Sequence, residues 1–334
     1  MEQYSCNEPY ALNWTGKAAA YRVIQERTAA TLIPQPELSA NFDTAENIFI
    51  EGENLDALKV LQTSYNNKVK CIIIDPPYNT WKNNVIYSDR FKENKENGDS
   101  HSNWLNMMLP RLSLARDLMS DDGVIFVHID DNEAHNLRLV MNEVFGEENF
   151  VAQIVWEYAY APVNLRKHFS KSHEYILFYA KQINNLVYYG SPRLKSTWTH
   201  REVGHYQDSM RELRALFDGE KIFDYPKPVT LTKQLISLYS QENDLILDFF
   251  AGSATTAHAV IDLNNEDGGN RKFILVQLAE LCDKESETYK AGYKTIADIS
   301  RERIRRVIRK LDGDTGNLGF KSYYLKRYGL GATQ

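Results

Sequence analysis

Short runs of apolar, largely β-branched residues recur along the chain at 69–74 (VKCIII), 123–129 (GVIFVHI), 245–249 (LILDF) and 272–278 (KFILVQL). They lack the polar alternation of a half-exposed strand, so both faces must be covered. Two more strand-like stretches lie at 47–51 (NIFIE) and 173–180 (HEYILFYA). Between them, apolar residues at helical spacing predict helices over 54–61, 101–119, 132–144, 231–239, 255–263 and 297–311, the second interrupted or kinked near Pro110. Strands alternating with helices imply a doubly wound α/β sheet whose ligands sit outside the carboxyl ends of the strands.

Two loops begin where such strands stop. The first is Asp75-Pro76-Pro77-Tyr78, directly after Ile72-Ile73-Ile74. Two prolines make a rigid extended turn and hold an acid before them and an aromatic after them at fixed positions. That arrangement suits a flat, polar heterocycle. Asp75 and a turn carbonyl can accept the two hydrogens of an aromatic amine, and Tyr78 can stack on its ring. The tetrapeptide alone could be a plain turn; its place after a buried strand, and beside a second motif, favours a site.

The second loop is Asp248-Phe249-Phe250-Ala251-Gly252-Ser253-Ala254-Thr255, followed by a helix. Small residues let a ligand approach the backbone, and the free N–H groups of a helix start attract a carboxylate. A tight turn without ligand, with Phe249-Phe250 in the core, is the plainer alternative. There is no Gly-x-Gly-x-x-Gly and no Gly-Lys-Ser/Thr, which makes dinucleotides and triphosphates poor candidates.

The net charge is -6, so the whole chain does not advertise nucleic-acid binding. Residues 301–334, however, hold nine basic side chains (Arg301, Arg303, Arg305, Arg306, Arg309, Lys310, Lys321, Lys326, Arg327) against three acids. Such a run can track phosphates or be a solvated helix face. Cys6, Cys71 and Cys282 are scattered and odd in number, which suits a reducing cytoplasm. No apolar run reaches the roughly 18 residues of a membrane span. His101, His128, His135 and His258 lack metal-ligand spacing and read as structural, so no metal is expected.

The chain resembles the β-class DNA amino-methyltransferases, most of all the methyltransferase subunits of type III restriction–modification systems. The likeness rests on the order of the two loops and on Asn41-Phe42-Asp43, 50–55 (IEGENL), 70–80, 127–133 (VHIDDNE), 145–150 (FGEENF), His173-Glu174-Tyr175, Gly204-His205, Tyr225-Pro226-Lys227-Pro228 and 248–260. It implies a mostly parallel, seven-stranded Rossmann-like methyltransferase sheet with helices on both faces. It implies S-adenosylmethionine as cofactor and the N6 amine of a flipped adenine in DNA as target. Asp75, Pro76, Pro77 and Tyr78 would form the target-amine site. Asp248, Phe249, Phe250, Gly252, Ser253, Thr255, Gln277, Lys227 and Pro228, with Asp75, would line the cofactor. Trp81, Lys82, Arg166, Lys167, Arg193, Lys195 and Arg201 are candidates for nucleic-acid contact.

The resemblance also implies a division into an arm (1–46), a catalytic half (47–180), a recognition insertion (181–222), a cofactor half (223–296) and a basic helix and tail (297–334). It implies a homodimer, with a restriction or specificity subunit as further partner. Three departures stand out. Ala254 replaces a usual glycine. Gln277 stands where relatives carry an acid for the ribose, with Glu280 near. Only the 45 residues of 181–225 occupy the place of a long recognition region, with Arg193, Lys195, His200, Arg201 and His205 as readers. Asp75 argues against cytosine N4, where serine is more usual; an RNA substrate stays open. A non-catalytic binding subunit would be expected to lose Asp75 or Tyr78.

Overall fold

The structure, a computed structural model, describes residues 11–80, 100–158, 169–190, 195–312 and 318–328. In chain order its elements are α1 (Lys17–Gln25), β1 (Ala30–Pro34), β2 (Asn47–Glu51), α2 (Asn54–Tyr65), β3 (Val69–Ile74), α3 (Ser100–Leu118), β4 (Met119–Ile129), α4 (Ala134–Phe145), β5 (Phe150–Glu157) and β6 (His173–Ala180). Then come β7 (Thr197–Trp198), α5 (His200–Val203), α6 (Tyr206–Leu216), α7 (Val229–Tyr239), β8 (Leu245–Asp248), α8 (Thr255–Asp267), β9 (Lys272–Gln277), α9 (Glu287–Lys290), α10 (Ile296–Asp312) and β10 (Phe320–Arg327).

Among the described residues one ten-stranded sheet runs in the order β1-β10-β2-β9-β8-β3-β4-β6-β5-β7. Its middle seven strands, β2 to β5 in that order, form the mostly parallel sheet expected. β6 runs antiparallel between β4 and β5. Three more strands extend the edges. β1 pairs antiparallel with β10, which attaches parallel to β2, while the two-residue β7 lies against β5. β1 falls within residues read as an arm, and β10 within those read as a tail. Their side chains are partly exposed, with Lys321, Lys326 and Arg327 in β10, so no apolar run marks them.

Neighbouring residues of the central strands point to opposite layers. Cys71 and Ile73 of β3, with Val124 and Phe126 of β4, pack toward α7, α8 and α10. Ile72, Ile74, Ile125 and Val127 pack toward α2, α3 and α4. α3 runs continuously through Pro110 rather than breaking there. Its buried stripe of Trp104, Leu105, Met108, Leu109, Leu112 and Leu118 outweighs the lost hydrogen bond.

The chain leaves β3 toward β4 on one side and leaves β8 toward β9 on the other, while β3 and β8 are paired neighbours. The crevice between them is therefore a topological switch point, where an α/β sheet opens to a ligand. Asp75 and Asp248 stand at that crevice. Among the described residues no helix is long and apolar enough to cross a membrane. Cys71 and Cys282 are free and buried.

Candidate active site

The turn after β3 is held from behind. Trp104 Nε1 of α3 donates to the Pro77 carbonyl at 2.7 Å. Asn79, in the left-handed region at φ 55°, donates to Glu133 Oε1 at 2.5 Å. Glu133 is fully buried at the start of α4 and also binds Asn136 and His101. The Pro77 carbonyl is thus engaged by α3, while Pro76 lines the cavity. Asparagine tolerates the left-handed backbone at this position.

In front of the turn, side chains converge from four places in the chain. Lys227 Nζ lies 3.0 Å from Asp75 Oδ2 and 3.3 Å from Glu174 Oε2. It donates to the hydroxyls of Tyr78 at 2.8 Å and Tyr206 at 2.9 Å. Both tyrosines in turn donate to Glu174, at 3.1 Å and 2.8 Å. The ammonium also sits 5.0 to 5.7 Å from the ring centres of Tyr78, Tyr206 and Trp156. A buried cation with two carboxylates and three aromatic faces has its charge answered on all sides.

The ionisation states follow from these contacts. Burial alone would raise the Asp75 carboxyl, but Lys227 holds it below the usual carboxylate range. Burial pushes Glu174 up. Burial would lower Lys227, but Asp75 and Glu174 keep it raised and charged. Burial, then Lys227, brings the His128 imidazole down to about 3, so it is neutral. Its Nδ1 is buried without a hydrogen-bond partner among the described residues.

The loop after β8 is equally fixed. Asp248 Oδ1 accepts from the Phe250 amide at 3.0 Å and Oδ2 from Thr256 Oγ1 at 2.6 Å. Burial carries its carboxyl up to about 7. Gly252 has φ 51° and Ala254 φ 63°. The Gly252 amide donates to Gln277 Oε1 at 2.7 Å. Thr255 Oγ1 reaches the Lys227 carbonyl at 3.5 Å, which ties this loop to the residue facing Asp75.

Both loops line one cavity of about 1010 Å³. Of the residues singled out from sequence, Asp75, Pro76, Pro77, Tyr78, Lys227, Asp248, Phe250, Gly252, Ser253 and Thr255 all lie on it. Phe249 instead faces the core, Pro228 is buried at the start of α7, and Gln277 braces Gly252. Lys195 pairs with Glu202 and Arg201 is exposed on α5; neither lines the cavity. Trp81, Lys82, Arg166, Lys167 and Arg193 lie outside the described residues. Glu174, Tyr206 and His128 line the cavity and were not singled out for it. The sequence signals for Glu174 were its place at the head of the apolar strand 173–180 and in the run His173-Glu174-Tyr175 that carries the resemblance.

In the basic run of 301–310, Arg309 and Lys310 are exposed, while the first four arginines are engaged within the chain. Arg301 and Arg303 are at most 3% exposed. Arg301 pairs with Glu51 and Asp298, Arg305 donates to the Leu38 carbonyl, and Arg306 pairs with Asp218 and Glu302.

A family profile described as DNA methylase matches residues 69–294. The chain is 32% identical to the Mod subunit of the type III restriction-modification enzyme StyLTI of Salmonella typhimurium, over 94% of the chain and 66% of that protein. It is 28% identical to the EcoP15I Mod subunit of Escherichia coli, over 95% of the chain and 71% of that protein. It thus spans about two thirds of the length of these curated relatives. The solved PvuII cytosine-N4-specific DNA methyltransferase shares the fold, with a TM-score of 0.51 at 14% identity over 80% of this chain and 95% of that one.

Proposed function

The chain belongs to the DNA methylase family, and from that premise we propose that it moves a methyl group from S-adenosylmethionine to the N6 amine of an adenine flipped out of DNA. One observation carries the reading: the Asp75 turn and the small-residue loop after Asp248 open onto the same cavity at the switch point of the sheet.

The cavity fits the cofactor's chemistry. Ser253 and Thr255, beside Gly252 at the N-terminus of α8, offer backbone amides for a carboxylate. When bound, the sulfonium supplies an electrophilic methyl group. The remaining work belongs to the chain. An aromatic amine is a poor nucleophile because its lone pair is delocalised into the ring. Asp75, held ionised by Lys227, accepts one N–H, and the Pro76 carbonyl accepts the other. That favours a localised lone pair, and Asp75 is placed to take the proton the amine sheds. Positioning and fixed charge are the main terms here. Stacking on Tyr78 offsets part of the cost of extruding the base.

Methylation-sensitive long-read sequencing of DNA from cells with and without this protein tests the reading, because it reports base and context together. N6-methyladenine that depends on Asp75 is expected. N4-methylcytosine, or methyl transfer to RNA alone, would overturn it.

We infer further that the working form is a homodimer in the cytoplasm, with a restriction or specificity subunit as partner. The supporting observation is the shortness of 181–222, which also gives some of its side chains to the core. Trp198, Val203, Leu213 and Phe217 are buried in the core, and Trp156 Nε1 donates to the Gly204 carbonyl. Each good base contact adds about 1–3 kcal/mol of discrimination and needs an exposed side chain. Light scattering with and without DNA tests this, and a monomer that binds one sequence tightly would refute it.

A further inference from the structure

The arginine-rich helix α10 is the strongest charge feature of the chain that the reaction above does not use. Arg303, on the face turned inward, is 1% exposed. One guanidinium nitrogen donates to Ser253 Oγ at 2.9 Å, Thr255 Oγ1 at 2.9 Å and the Ser253 carbonyl at 3.3 Å. The other lies 3.2 Å from His258 Nδ1 in the first turn of α8. One turn earlier, fully buried Ser300 reaches the Gly252 carbonyl through Oγ at 2.5 Å.

No carboxylate lies within ion-pair distance of Arg303 among the described residues, although Glu212 and Asp262 are near enough to favour its charge. Burying a guanidinium is costly, and burial carries this one down to about 10. Its hydrogen bonds go to the small-residue loop and the helix that follows it. That loop places Gly252 and Ala254 in the left-handed region, a shape that persists only where neighbours over-determine it.

We propose that Ser300 and Arg303 are positioning residues that hold loop 252–255 in the shape that receives the methionine end of S-adenosylmethionine. The inference rests on the methyl-transfer reading above. A brace behind this loop acts on the amino-acid end of the cofactor and leaves its adenosine end alone.

Calorimetry on the full chain with S-adenosylmethionine and with 5′-methylthioadenosine, which lacks the amino-acid end, tests it. Arg303→Met is expected to weaken S-adenosylmethionine about tenfold or more, the loss of one or two hydrogen bonds from a charged group. Methylthioadenosine should change less than about threefold, because it has no amino-acid end for this loop to hold. Arg303→Lys should recover part of the affinity. Equal losses for both ligands, or unchanged S-adenosylmethionine affinity, would overturn the proposal. If Arg303→Met does not fold, Ser300→Ala decides in the same assay, with a smaller loss in the same direction. A wild-type chain that binds neither ligand would instead undo the methyl-transfer reading itself.

Discussion

Lys227 Nζ stands 3.0 Å from Asp75 Oδ2, so the acid of the Pro-Pro turn meets a cation delivered from 152 residues further along the chain. The same ammonium lies 3.3 Å from Glu174, and the Lys227 and Glu174 side chains are no more than 10% exposed. Removing the cation leaves two carboxylates facing each other. Lys227→Met is expected to destabilise the fold by about 3–5 kcal/mol, as for one broken partner of a buried pair. Adding Glu174→Gln should return part of that loss. Urea unfolding of the single and double variants measures both. A Lys227→Met protein as stable as wild type would mean that the cluster contributes nothing to folding.

Tyr78 has two separable parts. Its ring faces the cavity, while its hydroxyl donates to Glu174 and accepts from Lys227. Tyr78→Phe keeps the ring and loses both hydrogen bonds, so methylation should fall to an intermediate level, about tenfold down. Tyr78→Ala also loses stacking, worth about 1–3 kcal/mol per base, and should fall further by one to two decades. The comparison is kcat/KM on unmodified DNA. Equal losses in the two variants would assign the work to the hydroxyl.

Asp248 predicts a pH dependence of stability. Its folded carboxyl sits at about 7 because burial disfavours the anion, against about 3.9 unfolded. Between those values the folded state binds the extra proton, so this contribution is full below about pH 4 and lost as pH rises through 7. The shift corresponds to at most about 4 kcal/mol. Asp248→Asn should remove that slope, so the stability difference between wild type and variant should change steadily from pH 4 to pH 7. Denaturant midpoints across that range report it. A pH-independent difference would contradict a raised carboxyl.

Ala254 occupies a left-handed position, φ 63°, at the start of α8 and is fully buried. Left-handed backbone costs a non-glycine residue about 1–2 kcal/mol, while its buried methyl contributes about 0.8 kcal/mol. Ala254→Gly should therefore change stability by less than about 1 kcal/mol and leave S-adenosylmethionine affinity equal or slightly better. Thermal melts and calorimetry check both. A large loss of affinity would show that the methyl group itself shapes the loop.

The α/β class and both loops were legible because they are local properties. A β-branched run that stops at an acid, then prolines or small residues, marks a strand, a rigid turn and a helix start without knowledge of any neighbour. Asp75, Tyr78 and Asp248 are visible for that reason. The edge strands β1 and β10 were not, since strands only partly buried carry no apolar run. Glu174, Tyr206 and the facing of Lys227 toward Asp75 depend on which strands lie side by side and on how the chain returns after α6. The arginines of α10 show the same limit. Their spacing predicts a charged helix, but whether a guanidinium meets water, phosphate or a loop carbonyl depends on what packs against it. Local periodicity encodes burial and backbone shape; the partner of each buried charge is decided by contacts between segments far apart in the chain, and only the tertiary structure assigns it.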